Sequence, residues 1–182
     1  MHILLFLLDT LFFVLVAAAL LRGFMNSRRL RMNQQPAVFC VAVTDWIVGP
    51  LRRTLPKAMA YSNTDWASFM AALLLSVMYS SLFHAAMGGQ LPGVSTLGWL
   101  FTLPVLAIVF LLRTLLQALM VLALVYAVLS WLQPHSTMAT TLGPLVEPVL
   151  RPIRRIVPTI GGIDLSVLIL VILIQIGLMV LR

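Results

Sequence analysis

Two arginine pairs are the residues of this chain best suited to chemistry. Arg52 and Arg53 stand between Pro50 and Pro56 in GPLRRTLP, and Arg154 and Arg155 stand between Pro152 and Pro158 in RPIRRIVP. A guanidinium offers a planar fork of donors that matches the oxygens of a phosphate or a carboxylate. Beside an anionic bilayer surface each basic residue contributes about 1 kcal/mol. An acid precedes the first arginine of each pair by seven residues, Asp45 before Arg52 and Glu147 before Arg154. Seven residues is close to two helical turns, so acid and base share a helix face. Arg151 adds a charge to the second copy. Such a set can dock an anionic lipid or a partner protein, or it can serve only to hold the chain's topology in the membrane.

A second group consists of polar residues in apolar surroundings: Asp9, Arg113, Gln117 and Gln175. Ionisable residues inside a bilayer are expensive and are functional hypotheses by default. Gln117 lies one turn after Arg113. Counted at about 1.5 Å per residue from the outer helix starts, Asp9 and Arg113 fall at similar depths of about 12 to 14 Å. They are expected to pair, with Ser80 and Gln175 at a comparable level. The cluster can be helix glue, an ion pair with satellite hydrogen bonds. Alternatively it lines a small cavity for an ion or a proton.

Enzyme chemistry finds little support. There is no Gly-rich phosphate loop, no carboxylate pair on one span and no placeable Ser-His-Asp set, so no catalytic residue is assigned. His84 suits an outer interface, and neither His2 nor His135 has metal-ligand spacing. The single cysteine, Cys40, excludes an intrachain disulfide and any multi-cysteine metal site. No cofactor or metal is expected.

The elements that must position these residues follow from composition. Of the 182 residues 62% are hydrophobic and only 9% charged, against about 25% charged in a soluble domain. Mean hydropathy is +1.08. An integral membrane protein follows, all-α, with four transmembrane helices over about residues 3–22, 66–87, 104–132 and 165–181. Asp65 and Asp164 stand at the starts of the second and fourth, where a carboxylate can cap free N–H groups and complement the positive helix end. The first span lacks a basic n-region and carries Asp9 early, which suits a retained helix better than a cleaved signal.

Charge orients the spans. Arg28, Arg29, Arg31, Arg52, Arg53 and Lys57 lie between the first two, with Arg22 at the membrane edge. Arg151, Arg154 and Arg155 lie between the last two, whereas residues 88–103 carry no charge. Positive-inside bias places both basic segments in the cytoplasm and both termini outside it.

Shifting the chain by 102 positions aligns the basic segments: Asp45 on Glu147, Pro50 on Pro152, Arg52 on Arg154, Arg53 on Arg155. The chain reads as two parallel repeats, residues 1–90 and 91–182. Each has two membrane helices and a cytoplasmic amphipathic interfacial helix. In the first, Phe39, Val43, Ile47 and Leu51 form the apolar face. In the second, Leu142, Val146, Val149, Ile153 and Ile156 do, and Pro144, Pro148 and Pro152 are expected to bend or break the helix.

These motifs carry a resemblance. TDWIVGPLRRTLP and LVEPVLRPIRRIVPTIGGIDLS resemble the repeated motif of the YggT family of bacterial integral membrane proteins. Arg22 in LLRGF and LSWLQP at 129–134 fit the same pattern, whereas KAMAYSNTD replaces the GGID approach in the first repeat. The resemblance covers nearly the whole chain. It implies residence in the bacterial cytoplasmic (inner) membrane and an association with osmotic and potassium stress tolerance. For relatives in cyanobacteria and chloroplasts it implies roles in assembly of a cytochrome complex and in nucleoid distribution. It implies no catalytic residues; the family-defining positions are Arg52, Arg53, Arg154 and Arg155.

Two functions are therefore expected. The first is a non-catalytic accessory or scaffold protein, docking lipid or another integral membrane protein through the arginine elbows. The second is a small ion-transport or potassium-homeostasis protein using the Asp9/Arg113 cluster. Membrane lipids are the expected contacts, a homo-oligomer is compatible, and nothing points to nucleic acid.

Overall fold

The computed structural model describes residues 2–30, 32–56, 64–86, 98–133, 136–155 and 165–181. Among these residues there are six helices and no strand. They are α1 (His2–Ser27), α2 (Ala37–Thr54), α3 (Trp66–Ala86), α4 (Trp99–Leu132), α5 (Thr137–Arg154) and α6 (Leu165–Val180). Three helices are long and apolar enough to cross a membrane: Ile3–Ser27, Trp66–Ala86 and Phe101–Leu132. The segment expected to be a fourth span forms α6, apolar but only 16 residues long. That is about 24 Å of helix against a hydrocarbon core of about 30 Å. Large apolar side chains point outward along these helices, among them Leu7, Leu74, Val77, Ile172 and Ile176. Such faces are matched to lipid rather than water.

The chain divides into two compact units, Met1–Thr114 and Leu115–Arg182. In the first unit α1 packs along α3 and α2 packs against both. Phe12, Val16, Ala19 and Leu20 of α1 meet Ala72 and Leu75 of α3 in its core. Ser68, Ala72, Ser76 and Ser80 recur every fourth residue along α3 and are all buried. Small residues at this spacing let helices approach closely where no hydrophobic effect drives them together. Gly23 of α1 belongs to the same contact: a Cβ there would stand 3.2 Å from Ser68 Cβ and from the Phe69 ring.

α1 extends five residues beyond the expected end of the first span. It closes with Leu30 N–H donating to Met25 O and Arg29 N–H donating to Asn26 O, with Arg29 at φ 54°. This is a Schellman closure, in which glycine usually takes the left-handed position. The extra turn brings Asn26 and Ser27 to Asp65 at the start of α3.

α2 buries a face adjoining the expected apolar one, and Ile47 and Leu51 of the expected face also pack on the core. Ala37, Cys40, Thr44 and Val48 point inward, while Phe39 is half exposed. The small side chains at 37, 40 and 44 allow close approach to α1 and α3, which the bulky Phe39 would prevent.

In the second unit α5 packs against α6. Ala139, Leu142, Leu145, Val146 and Leu150 of α5 are buried, as are Val167, Leu170 and Ile174 of α6. Ser136 caps α5, its hydroxyl accepting from Ala139 N–H at 3.1 Å. The three prolines do not break α5, which runs unbroken through Pro144, Pro148 and Pro152. They recur every fourth residue on one exposed face. The N–H groups they remove are thus lost where the opposing carbonyls can be solvated, which keeps the cost low. Pro50 in α2 is likewise exposed and leaves its helix unbroken.

Candidate functional site

The basic ends of α2 and α5 carry the charged chemistry, and most of it is tied into ion pairs. Arg22 on α1 is buried. Its Nη2 donates to Asp45 Oδ1 at 2.9 Å and its Nη1 to Thr44 Oγ1 at 3.1 Å. Thr44 in turn donates to Cys40 O at 2.6 Å. Asp45 itself is largely exposed, with 64% of its side chain accessible. Asp45 and Arg52 share a helix but do not pair with each other, because each finds a partner on a neighbouring helix.

Arg52 instead donates to Asp65 Oδ2 at 2.9 Å. Asp65 is buried at the start of α3 and gathers four further contacts. Asn26 Nδ2 donates to it at 3.0 Å, Ser68 Oγ at 2.8 Å and the Ser68 N–H at 3.4 Å, and its own N–H donates to Ser27 Oγ at 3.2 Å. Burial pushes the Asp65 carboxyl up, but the hydrogen bonds from Ser68 and Asn26 and the Arg52 charge outweigh it. The net result lies below the ordinary carboxylate value. One carboxylate thus fastens the ends of α1 and α2 to the start of α3.

The second unit closes its charge within a single helix. Arg154 Nη1 donates to Glu147 Oε2 at 2.7 Å, and Arg151 Nε lies 3.8 Å from Glu147 Oε1. Asp164 lies outside the described residues. The second arginine of each pair behaves differently from the first. Arg53 and Arg155 are exposed, and among the described residues their guanidinium groups make no ion pair or hydrogen bond.

The intramembrane residues are arranged otherwise than expected. Asp9 is exposed and accepts a 2.8 Å hydrogen bond from Tyr79 Oη. Among the described residues no ion pair joins Asp9 to Arg113. Tyr79 takes the carboxylate because its ring stacks on Phe110, with centroids 3.9 Å apart, and so directs its hydroxyl toward α1. Arg113 lies exposed on α4. Gln117 is half buried and Gln175 exposed, and no hydrogen bond ties them to a cluster among the described residues. Cys40 is buried, and burial pushes its thiol up to about 11, which leaves it unreactive near neutral pH. No group of three or more metal-ligating side chains occurs among the described residues.

Sequence reasoning missed Asn26, Ser27, Ser68 and Tyr79, and it left Arg22 without a partner. Arg22 and Asn26 lie one turn apart just before the basic segment, and that spacing was the available signal.

The family model described as CCB3/YggT matches residues 1–86 and 105–182. Two segments of comparable length accord with a two-repeat chain. The chain is 33% identical over 177 residues to the "Uncharacterized protein YggT" of Escherichia coli K12, covering 97% of this chain and 87% of that protein. It is 34% identical over 172 residues to an "Uncharacterized protein in proC 3'region" of Vibrio alginolyticus, covering 93% and 88%. An uncharacterised protein of Pseudomonas aeruginosa is 27% identical over 163 residues, covering 88% and 79%. No solved structure matches the chain.

Proposed function

The chain belongs to the CCB3/YggT family, and from that premise we propose that it is a non-catalytic accessory or scaffold protein of the bacterial cytoplasmic membrane. It docks an anionic lipid surface or another integral membrane protein through the basic ends of α2 and α5. In this reading the chain is multi-pass, with α6 as a fourth, short span and two repeats of the same orientation. Both basic segments then face the cytoplasm and both termini lie outside it, as the charge distribution favours.

One observation carries the reading. In each basic segment one arginine is held by an acid, Arg52 by Asp65 and Arg154 by Glu147, while the second arginine of the pair remains exposed: Arg53 on α2 and Arg155 at the end of α5. A set needed only for internal packing would be consumed by internal partners.

The test is purification of the native protein in polymer-bounded native discs, followed by identification of the proteins and lipids that remain. Retention of a membrane partner or of enriched anionic lipid, lost on Arg53→Ala with Arg151→Ala and Arg155→Ala, supports docking. A wild-type protein that arrives alone, in unselected lipid, sinks it.

Ion homeostasis is a second reading, favoured by one feature. Asp9 lies within a span and accepts a hydrogen bond from the Tyr79 hydroxyl, and an ionisable residue so placed is a functional hypothesis by default.

A further inference from the structure

We propose that the two arginines of each pair have separate tasks. The first, Arg52 or Arg154, is a structural clasp. The second, Arg53 or Arg155, holds the phosphate of an anionic phospholipid headgroup. The proposal rests on the docking reading and names its ligand and its residues.

The two units reach the same division by different geometry. Arg52 is held across helices by the buried Asp65, and Arg154 along its own helix by Glu147. Arg53 and Arg155 occupy equivalent positions 102 residues apart, and both are exposed and absent from these ion pairs. Two copies that differ in how they hold the first arginine, yet leave the second exposed, share a requirement at the second.

The surroundings of the second arginine suit a lipid headgroup. On α2, Trp46, Pro50 and Arg53 recur at four and three residues, so they form one exposed stripe. On α5, Pro144, Pro148, Arg151 and Arg155 do the same. Each proline denies an N–H to the carbonyl four residues before it. Trp46 O, Pro144 O and Pro148 O therefore lack that helical donor on the outward face. A headgroup that brings both a phosphate and hydroxyl donors complements an arginine beside such carbonyls. A glycerol headgroup has both, and choline has no donor.

Exposed tryptophans mark the level. Trp46 and Trp66 in the first unit, and Trp131 at the end of α4 in the second, are all at least 45% accessible. Tryptophan is enriched where bilayer meets water. Arginine at this level meets phosphates, and its fork holds two oxygens at once.

The experiment titrates the full-length protein in mild detergent with dioleoyl phosphatidylglycerol and, separately, dioleoyl phosphatidylcholine. Bound lipid is counted by native mass spectrometry. Each second arginine is expected to contribute about fivefold in affinity, the equivalent of about 1 kcal/mol. The Arg53→Ala/Arg155→Ala protein should therefore lose about 25-fold in phosphatidylglycerol affinity at an unchanged melting temperature. Arg53→Lys/Arg155→Lys should keep most of the preference. Arg52→Ala/Arg154→Ala should melt lower yet bind phosphatidylglycerol within about twofold of wild type. The less severe Arg52→Gln/Arg154→Gln gives the same reading if the alanine protein does not fold.

Wild type with no preference for phosphatidylglycerol over phosphatidylcholine would overturn the docking reading itself. A preference that survives in Arg53→Ala/Arg155→Ala overturns the division of tasks and leaves docking standing. Loss of the preference in folded Arg52→Gln/Arg154→Gln overturns the division in the same way. Displacement of the lipid by an equal concentration of inorganic phosphate would overturn the lipid assignment in favour of a free anion.

Discussion

Arg52 Nη2 lies 2.9 Å from Asp65 Oδ2 across thirteen residues of chain, with the carboxylate side chain 4% exposed and the guanidinium 48%. That asymmetry sets the consequences of removing either partner. Asp65→Ala strands Arg52, Asn26 and Ser68 at once and is expected to lower stability by about 3 kcal/mol. Arg52→Ala leaves a carboxylate that still accepts from Asn26 and Ser68, and its cost should be about 1 kcal/mol. Denaturant unfolding in mild detergent, monitored by tryptophan emission, measures both. Equal losses would contradict the asymmetry.

The same carboxylate sets an acid dependence. The Asp65 pKa in the fold lies below its ordinary value, so its contribution is complete above about pH 4, the unfolded-chain value. It is lost as the pH falls through the lower folded value. Melting temperature should therefore drop on acidification below about pH 4 in the wild type. Asp65→Asn should start lower and show a shallower drop. Parallel pH profiles for the two proteins would remove Asp65 from the explanation.

The Arg22–Asp45 pair reverses the usual expectation for an ion pair. Arg22 is the buried member, at 6% exposure, and Asp45 the accessible one, at 64%. Asp45→Ala leaves a buried guanidinium with Thr44 as its remaining hydrogen-bond partner, which costs more than removing the charge altogether. Arg22→Met leaves Asp45 to the solvent and keeps apolar bulk on α1. Asp45→Ala is expected to cost about 2 kcal/mol and Arg22→Met less than half of that. Adding Arg22→Met to Asp45→Ala should recover most of the loss. A double-mutant cycle tests the coupling, and strict additivity would show that the pair carries none.

The parts of the fold set by hydropathy were legible in the sequence, and the parts set by helix-to-helix contact were not. Long apolar runs announced α1, α3 and α4, because burial in lipid depends on composition summed over about twenty residues. The face of α2 was legible in part: Ile47 and Leu51 pack on the core, but a hydrophobicity count does not pick out the small residues Ala37, Cys40 and Thr44 that are buried beside them. The prolines of α5 were read one at a time as breakers, although their four-residue recurrence puts every lost donor on one face. The Asp9–Tyr79 contact depends on how two helices are rotated about their axes, and spacing within either helix does not encode that. Of the candidate site, the arginine pairs stood out by composition. Which arginine of each pair is held emerged only when Asp65 and Glu147 were placed in space.

Asp9 and Tyr79 provide the test between docking and ion homeostasis. A hydrogen bond between membrane helices contributes about 0.6 kcal/mol on average. Asp9→Asn preserves an acceptor for the Tyr79 hydroxyl, and Tyr79→Phe removes the donor. On the docking reading both variants should stay within about 1 kcal/mol of wild type, and reconstituted protein should move neither potassium nor protons. Flux measured in proteoliposomes that Asp9→Asn abolishes, with stability unchanged, would favour ion homeostasis instead.

Two glycines near the ends of α1 and α2 differ in what a side chain would meet. A Cβ on Gly23 would meet Ser68 Cβ and the Phe69 ring at 3.2 Å, whereas one on Gly49 would meet nothing within 4 Å. The Phe69 ring can turn aside, but Ser68 Cβ is fixed to the α3 backbone, so the helices must part by some tenths of an ångström. Overpacking by Gly23→Ala should cost about 2 kcal/mol, more than the helix-propensity gain of about 0.8 kcal/mol, for a net loss of about 1 kcal/mol, and Gly23→Leu should lose considerably more. Gly49→Ala meets no atom within 4 Å beyond its chain neighbours, but its Cβ crowds the ring of Pro50, which offsets the helix-propensity gain and leaves stability within about 0.5 kcal/mol of wild type. A lowered melting temperature for Gly23→Ala beside a nearly unchanged one for Gly49→Ala is the measurement. A Gly23→Ala protein as stable as wild type would mean that α1 and α3 do not approach as closely as the buried Ser68, Ala72 and Ser76 stripe requires.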